Sequence, residues 1–353
     1  MALPMLTLPI KDFLRTARQE GLPIYDVRSP CEFENGHIPD AINLPLFTNA
    51  QRAEIGTLYK EEGRQEAILA GLDAVGPRLR TLAATVLEAS PQKGPISIHC
   101  WRGGMRSQSV GWLLEQVGFE VTLLQGGYKA YRAQVHKIIG QDWPKLRVVG
   151  GLTGSGKTEI LLGLRNLGEQ VLDLEGLANH RGSAFGGIDR VSPSQESFEN
   201  ALDQEIDRLD PKRRVWIEDE SRMIGRLALP EAMWRQKCGA PLAFIEVALE
   251  RRVDRLVKEY GEHDPVDLVA SFEAIRKRLG HERTDQALRA IDEGDLSTAC
   301  QEALAYYDRC YQYGLERRNE STVSRFFWGD ESPTRLATDL VEWAKKEEVT
   351  HEK

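Results

Sequence analysis

The stretch "LRVVGGLTGSGKTEILLGLRNLG", residues 146–168, restricts the fold more than any other. An apolar run leads into Gly-x4-Gly-Lys-Thr at 151–158, and a helical pattern follows. A strand that feeds a glycine-rich loop and then a helix belongs to a parallel sheet, because parallel neighbours need a covering crossover. Backbone amides from Gly154 to Thr158 would wrap a phosphate, and Lys157 would neutralise its outer oxygens as a point charge. The diphosphate-binding set expected from this loop is Gly151, Gly154, Ser155, Gly156, Lys157 and Thr158, and Thr158 would bind magnesium if a metal is present.

The chain has 353 residues, a length suited to two domains. Short apolar runs alternate with helical stretches from residue 22 onward. "LPIYDVR", "AINLP", "GPISIHC" and "EVTLLQGG" read as strands, and "GLDAVGPRLRTLAATVLEAS" and "RSQSVGWLLEQVG" as helices. "QVLDLEG", "RVWIEDE" and "LAFIEVAL" supply strands after the phosphate loop, and 265–318 reads as helical. The expected class is α/β, with parallel sheets covered on both faces. Residues 1–131 form one expected domain and 132–146 a connector. Residues 147–353 form the second domain, with a helical C-terminal part and a frayed charged end from 345.

Net charge is −8, which excludes a generally basic coat for nucleic acid; an RNA partner would use local patches such as Lys212-Arg213-Arg214. The five cysteines (Cys31, Cys100, Cys238, Cys300, Cys310) make no Cys-x-x-Cys pair, so a reducing cytoplasm is expected rather than a disulfide framework. The N-terminus lacks a basic start and a long apolar run, so neither a signal peptide nor a membrane span is expected.

"SIHCWRGGMRSQSV", residues 97–110, is the second chemical feature. Cys100 closes an apolar run, and a helix begins near Arg106. A glycine-rich loop there can turn amides inward over the helix N-terminus, which favours anions and a thiolate. The site candidates are Cys100 as nucleophile and Trp101, Arg102, Gly103, Gly104, Met105 and Arg106 as its cradle. From these residues alone, two chemistries fit. Cys-x5-Arg-Ser suits a cysteine phosphatase, and the same cradle suits a persulfide or perselenide carrier.

Three more segments carry candidates. "VWIEDES" places Glu218 or Asp219 where a metal-side acid would stand. "VALERRVDRLVKEYG" offers Arg251, Arg252 and Arg255 as a lid. "ANHRGSAFGG", too polar and glycine-rich for scaffold alone, offers His180, Arg181 and Ser183.

"YDVRSPCEFENGHIPDAINLP" and "LLQGGYKAY" resemble the opening and closing signatures of the rhodanese family over about residues 10–131. Within that resemblance Asp26, Arg28 and His37 brace a turn, and Asp40 stands where a glycine is usual. With "CWRGGMRS", "GLTGSGKT" and "NHRGSAFG" in that order, the chain resembles the bacterial tRNA 2-selenouridine synthase family. That resemblance implies action on the wobble uridine of tRNA in two steps. Geranyl diphosphate alkylates 2-thiouridine, and selenium from selenophosphate then replaces the geranylthio group. Cys100 matches the family's selenium-carrying position, as a perselenide. No tightly bound cofactor is implied. A monomer is expected, with the tRNA anticodon loop and a selenophosphate-producing enzyme as partners. The alternative is a phosphatase or sulfurtransferase of rhodanese fold fused to a nucleotide-binding domain.

Overall fold

The computed structural model describes residues 5–351. The chain divides into two compact units, Met1–Ile138 with Glu199–Gln204, and Ile139–Phe198 with Glu205–Lys353. The helix Gly127–Ile139 occupies the first part of the stretch read as a connector.

The first unit is built on β1 (Leu6–Leu8), β2 (Ile24–Asp26), β3 (Ile42–Asn43), β4 (Pro95–His99) and β5 (Glu120–Leu124). All pairs are parallel and the order is β1-β5-β4-β2-β3. Alternation divides β4 between two faces. Ile96, Ile98 and then Cys100 join the cluster formed with Tyr25, Val27, Leu46, Val110 and Leu114, while Ser97 and His99 face the other way. The segment 71–90, expected as one helix, is broken: Arg64–Val75 ends at a 3-10 turn, Gly76–Arg78, before Leu79–Ala89. Pro77 removes an amide from the ladder and accounts for the break.

The second unit holds β6 (Leu146–Gly151), β7 (Gln170–Leu172), β8 (Val215–Glu218), β11 (Leu242–Glu246) and β12 (Val323–Phe327) in the order β12-β11-β6-β8-β7, again all parallel. A small hairpin, β9 (Met223–Ile224) and β10 (Leu227–Ala228), lies apart from the sheet. Val149, Trp216, Ala243 and Ile245 form a core with Ile160, Leu164 and the helix Pro333–His351. The region 265–318 holds three helices, Pro265–Leu279, His281–Asp292 and Leu296–Leu315. Fraying expected from residue 345 does not begin there, because the last helix runs through His351; residues 352–353 lie outside the described residues.

Of the four edge strands, β3 and β7 are legible in the sequence, whereas β1 and β12 are not. Each of the latter two is short and half-exposed, so its apolar run is too brief to stand out. In both units the glycine-rich loop follows the carboxyl end of the central strand, β4 or β6. Ligands gather there in open parallel sheets.

Candidate functional site

Cys100 follows β4, and the helix Met105–Gln116 begins five residues later. Its side chain is 3 % exposed, and Sγ lies 3.3 Å from Ser107 Oγ. The loop is held from behind by the turn after β5. Tyr128 N–H donates to Cys100 O at 2.8 Å, and Lys129 N–H to Trp101 O at 2.9 Å. Gly127 has a φ of 61°, and a Cβ there would lie 2.4 Å from both Cys100 O and Gly103 N. Gly103, at a φ of 65°, would meet Leu124 O at 2.6 Å. Side chains at these two positions would drive the backbone strands of the site apart. The closing Gly-Gly of "LLQGGYKAY" is therefore the floor of the cysteine loop.

Arg106 donates to Glu32 at 2.8 and 3.4 Å, which fixes the guanidinium beside the helix start. Burial raises Glu32, but the Arg106 hydrogen bonds outweigh it and hold the carboxyl below its ordinary range. Arg102 and Met105 are exposed, and Trp101 is half-buried with its ring 5.9 Å from that of Tyr128. Beneath them Arg28 is 1 % exposed. It forks onto Asp26 at 2.6 and 2.9 Å, donates to Gly36 O at 2.7 Å and stacks 3.8 Å from the Tyr128 ring centre. His37 stacks on Phe33 and bonds Phe33 O at 2.9 Å. Asp26, Arg28 and His37 thus hold the turn. Asp40 has a φ of 66°, the left-handed region that explains a usual glycine and that Asp tolerates.

In the second unit the phosphate loop closes tightly. Lys157 Nζ donates to Gly151 O at 3.2 Å, reaching back across the loop, and lies 5.3 Å from the Tyr311 ring centre. Ser155 is 1 % exposed and its Oγ has no hydrogen-bond partner. Gly154 and Gly156 have φ values of 78° and 77°, and a Cβ on Gly156 would meet Trp328 at 2.7 Å. Two of the three expected lid arginines brace this loop, while Arg251 donates instead to Trp328 O at 3.4 Å. Arg252 donates to Thr153 O at 3.2 Å and forks onto Asp308 at 2.8 and 2.7 Å; Arg255 donates to Gly154 O at 2.8 Å.

A cavity of about 1200 Å³ opens at this loop, lined by Lys157, Thr158, Glu175, Arg181, Ser183, Asp219, Glu220, Lys237, Tyr311 and Arg318 among others. Asp219 Oδ1 accepts from Lys237 Nζ at 2.6 Å and from Arg318 at 2.9 Å. Burial opposes ionisation of Asp219, yet these two cations hold its carboxyl below the ordinary range. Glu218, fully buried, accepts from the amides of Leu174 at 3.0 Å and Glu175 at 3.5 Å. Burial and neighbouring carboxylates push it well above its usual value. If a metal is present, magnesium would be reached through Thr158, with Glu218 or Asp219 near it. Neither of these two acids is free for that ion: Asp219 pairs with Lys237 and Arg318, and Glu218 accepts from the amides of a helix start. Among the described residues no group of three or more His, Cys, Asp or Glu side chains is arranged to hold a metal.

The loop 178–187 bonds mainly to itself. Arg181 N–H donates to Gly186 O, and Gly186 N–H donates to Ser183 O. Arg181 pairs with Glu259 at 2.8 Å, and Ser183 Oγ accepts from Phe185 N–H at 3.2 Å. His180 is 8 % exposed, accepts from Gly182 N–H through Nδ1 at 3.1 Å and packs on Gly225. Burial pushes its pKa down. Arg181 and Ser183 line the cavity; His180 forms the knuckle that shapes their loop.

Four residues of these sites escaped the sequence reading. Lys237 stands on a helix with no motif around it, and Arg318 belongs to the basic pair Arg317-Arg318, which reads as a surface patch for RNA rather than as part of this cavity. Glu175 and Glu220 hydrogen-bond each other where Gly182 lacks a side chain; a Cβ on Gly182 would lie 2.4 Å from Glu220 and 2.8 Å from Glu175. Burial and then the Glu220 charge push Glu175 up to about 8, with Lys157 pulling the other way. A carboxyl raised on folding contributes stability while protonated and loses it as pH rises from 4.5 towards about 8. Glu175→Gln is expected to flatten the fall of Tm across that window, measured by calorimetry; an unchanged slope would place the titration elsewhere.

Known structures share parts of this chain. The N-terminal domain of a provisionally named ATP/GTP binding protein from Clostridium difficile 630 is 40 % identical, with a TM-score of 0.34; the match covers 36 % of this chain and 98 % of that one. The BH2092 protein of Bacillus halodurans is 19 % identical, with a TM-score of 0.24, over 36 % of this chain and 72 % of its own. The yeast protein tyrosine phosphatase Ygr203w, of the rhodanese family, is 18 % identical, with a TM-score of 0.24, over 38 % and 89 %. No helix among the described residues is long and apolar enough to cross a membrane. The rhodanese-like domain model matches residues 10–134. The model of the tRNA 2-selenouridine synthase AAA domain matches residues 144–336, more than half of the chain. With a rhodanese-like domain before that domain, the chain belongs to the tRNA 2-selenouridine synthase family of tRNA-modifying enzymes.

Proposed function

We propose that this chain converts 2-thiouridine in tRNA to 2-selenouridine through a geranylated intermediate. Sulfur on C2 is a poor leaving group as a sulfide equivalent. Alkylated, it leaves as a thiolate, so one hard substitution becomes two easier ones. In the first step the uridine sulfur attacks the allylic carbon of geranyl diphosphate, and diphosphate departs. Lys157, Lys237 and Arg318 line the cavity at the phosphate loop and would receive the charge that develops on it. In the second step selenium from selenophosphate replaces the geranylthio group, served by the Cys100 loop. The observation that carries this reading is the pairing in one chain of a cysteine loop and a cation-lined phosphate loop, each after the central strand of its own sheet. The anticodon loop would meet both by stacking and arginine contacts, Trp101 among them. A cytoplasmic monomer supplied by a selenophosphate-producing enzyme fits this chemistry.

Reconstitution tests it. Purified protein, thiolated tRNA and geranyl diphosphate should yield geranylthio-uridine by nucleoside mass spectrometry. Adding selenophosphate should convert it to selenouridine. Selenouridine formed at the full rate without geranyl diphosphate would refute the two-step order.

A further inference from the structure

We propose that Cys100 takes the phosphoryl group of selenophosphate and so frees selenium as selenide beside the alkylated uridine. This rests on the reading that the cysteine loop receives selenophosphate. It replaces the perselenide that the family resemblance implies.

The first ground is electron count. Selenium in selenophosphate is already at the selenide level. A Cys–S–Se bond stands two electrons above a thiol plus a selenide, as a disulfide stands above two thiols. A perselenide therefore needs an oxidant, and neither co-substrate is one. Phosphoryl transfer needs none. The Cys100 thiolate attacks phosphorus, the P–S bond forms, and the P–Se bond breaks with its electron pair on selenium. Selenide then attacks C2, the C–S bond breaks, and the geranyl thiolate leaves with that pair. Water attacks the phosphocysteine, orthophosphate departs and the thiolate is restored. Of the two protons from water, one goes to the uridine ring nitrogen and one to the geranyl thiolate.

The second ground is what surrounds the sulfur. Cys100 and Arg106-Ser107 stand in the Cys-x5-Arg-Ser spacing that suits a held phosphate. The helix Met105–Gln116 points its N-terminus at the loop, and Arg106 is fixed there by Glu32. Both favour phosphoryl oxygens over a bare selenium atom. Ser107 is fully buried, with its Oγ 3.3 Å from Cys100 Sγ and 3.1 Å from Gly104 O. Its single proton can sit on either acceptor. While sulfur is a thiol, the hydroxyl serves Gly104 O. When sulfur leaves phosphorus as a thiolate, the hydroxyl can turn and donate to it. A hydrogen bond to a charged group is worth roughly 1.5–3 kcal/mol, about ten- to a hundredfold in the breakdown rate.

Selenophosphate labelled either in phosphorus or in selenium is mixed with the full-length protein and geranylated tRNA, then quenched under denaturing conditions. Phosphorus label should be retained by the wild type, absent from Cys100→Ser, and at least about tenfold more abundant in Ser107→Ala, whose phosphocysteine breaks down slowly. Selenium label should pass to tRNA and leave none on the protein. Selenium on Cys100, or selenouridine formed with neither label trapped in wild type or Ser107→Ala, overturns the proposal while the two-step reading stands. No selenouridine from selenophosphate with the wild type removes the donor reading and this proposal with it.

Discussion

Lys157→Ala is expected to stop selenouridine formation from thiolated tRNA by blocking alkylation, with kcat/KM for geranyl diphosphate down by about 100-fold or more. Lys157 is the cation the phosphate loop folds around: it spans the loop to Gly151 O and sits against Tyr311. Burial opposes its charge, but Tyr311 and then the carboxyls of Glu220, Glu175 and Asp219 outweigh that and hold its pKa up. Removing one preorganised donor to developing negative charge costs about 3–4 kcal/mol in enzymes that work this way. Removing it here also leaves the hydrogen-bonded Glu175–Glu220 pair facing the diphosphate without its cation. The control separates the two sites. Supplied with tRNA already geranylated, Lys157→Ala should make selenouridine, whereas Cys100→Ser should not. Cys100→Ser should instead accumulate geranylthio-uridine from thiolated tRNA. Normal alkylation by Lys157→Ala, read by nucleoside mass spectrometry, would remove the phosphate loop from the first step.

Gly127→Ala is expected to cost the first unit about 2–5 kcal/mol and to abolish selenium transfer even where the protein remains folded. Two effects add. Overpacking costs typically about 1–3 kcal/mol, and a left-handed backbone about 1–2 kcal/mol for a residue with a Cβ. The clash is with main-chain atoms of Cys100 and Gly103, at 2.4 Å each, and with Arg102 N at 2.8 Å, so no side chain can swing away to relieve it. Relief must come from the loop that carries the nucleophile. Gly21→Ala is the comparison, since its φ is 64° but nothing lies within 4 Å of the added Cβ. It should show the backbone strain without the loss of transfer. Denaturant unfolding and single-turnover selenium transfer read the two effects apart. Equal losses of activity in both variants would deny Gly127 its role as the floor of the loop.

Much of this molecule can be read from local pattern. Apolar strands 146–151 and 95–99, each running into glycines and then a helix, announce two parallel sheets and the places where chemistry collects. Both loops follow central strands, which are buried along almost their whole length and therefore stand out as largely apolar runs. Arg106 and the closing Gly-Gly are also visible, although the sequence offers no hint that the glycines pack against the cysteine loop itself. Edge strands β1 and β12 are not legible. Half their side chains meet water, so nothing in three to five residues distinguishes them from loop.

The acid and base pairings belong to the second class. "VWIEDES" presents three carboxyls in a row, Glu218, Asp219 and Glu220, with no local mark to separate them. One is buried on a helix start, one is clamped by Lys237 and Arg318, and one shares a hydrogen bond with Glu175. Their partners come from 18 to 99 residues away. His180, Arg181 and Ser183 are adjacent in the chain, yet the first is a packed knuckle and the other two face the cavity. By itself, therefore, the sequence determined the two sheets, the two loops and the family. Only the tertiary structure decided which charge each polar group meets. Period and spacing act over a few residues, whereas Coulomb and desolvation energies depend on what long-range packing brings within about 4 Å.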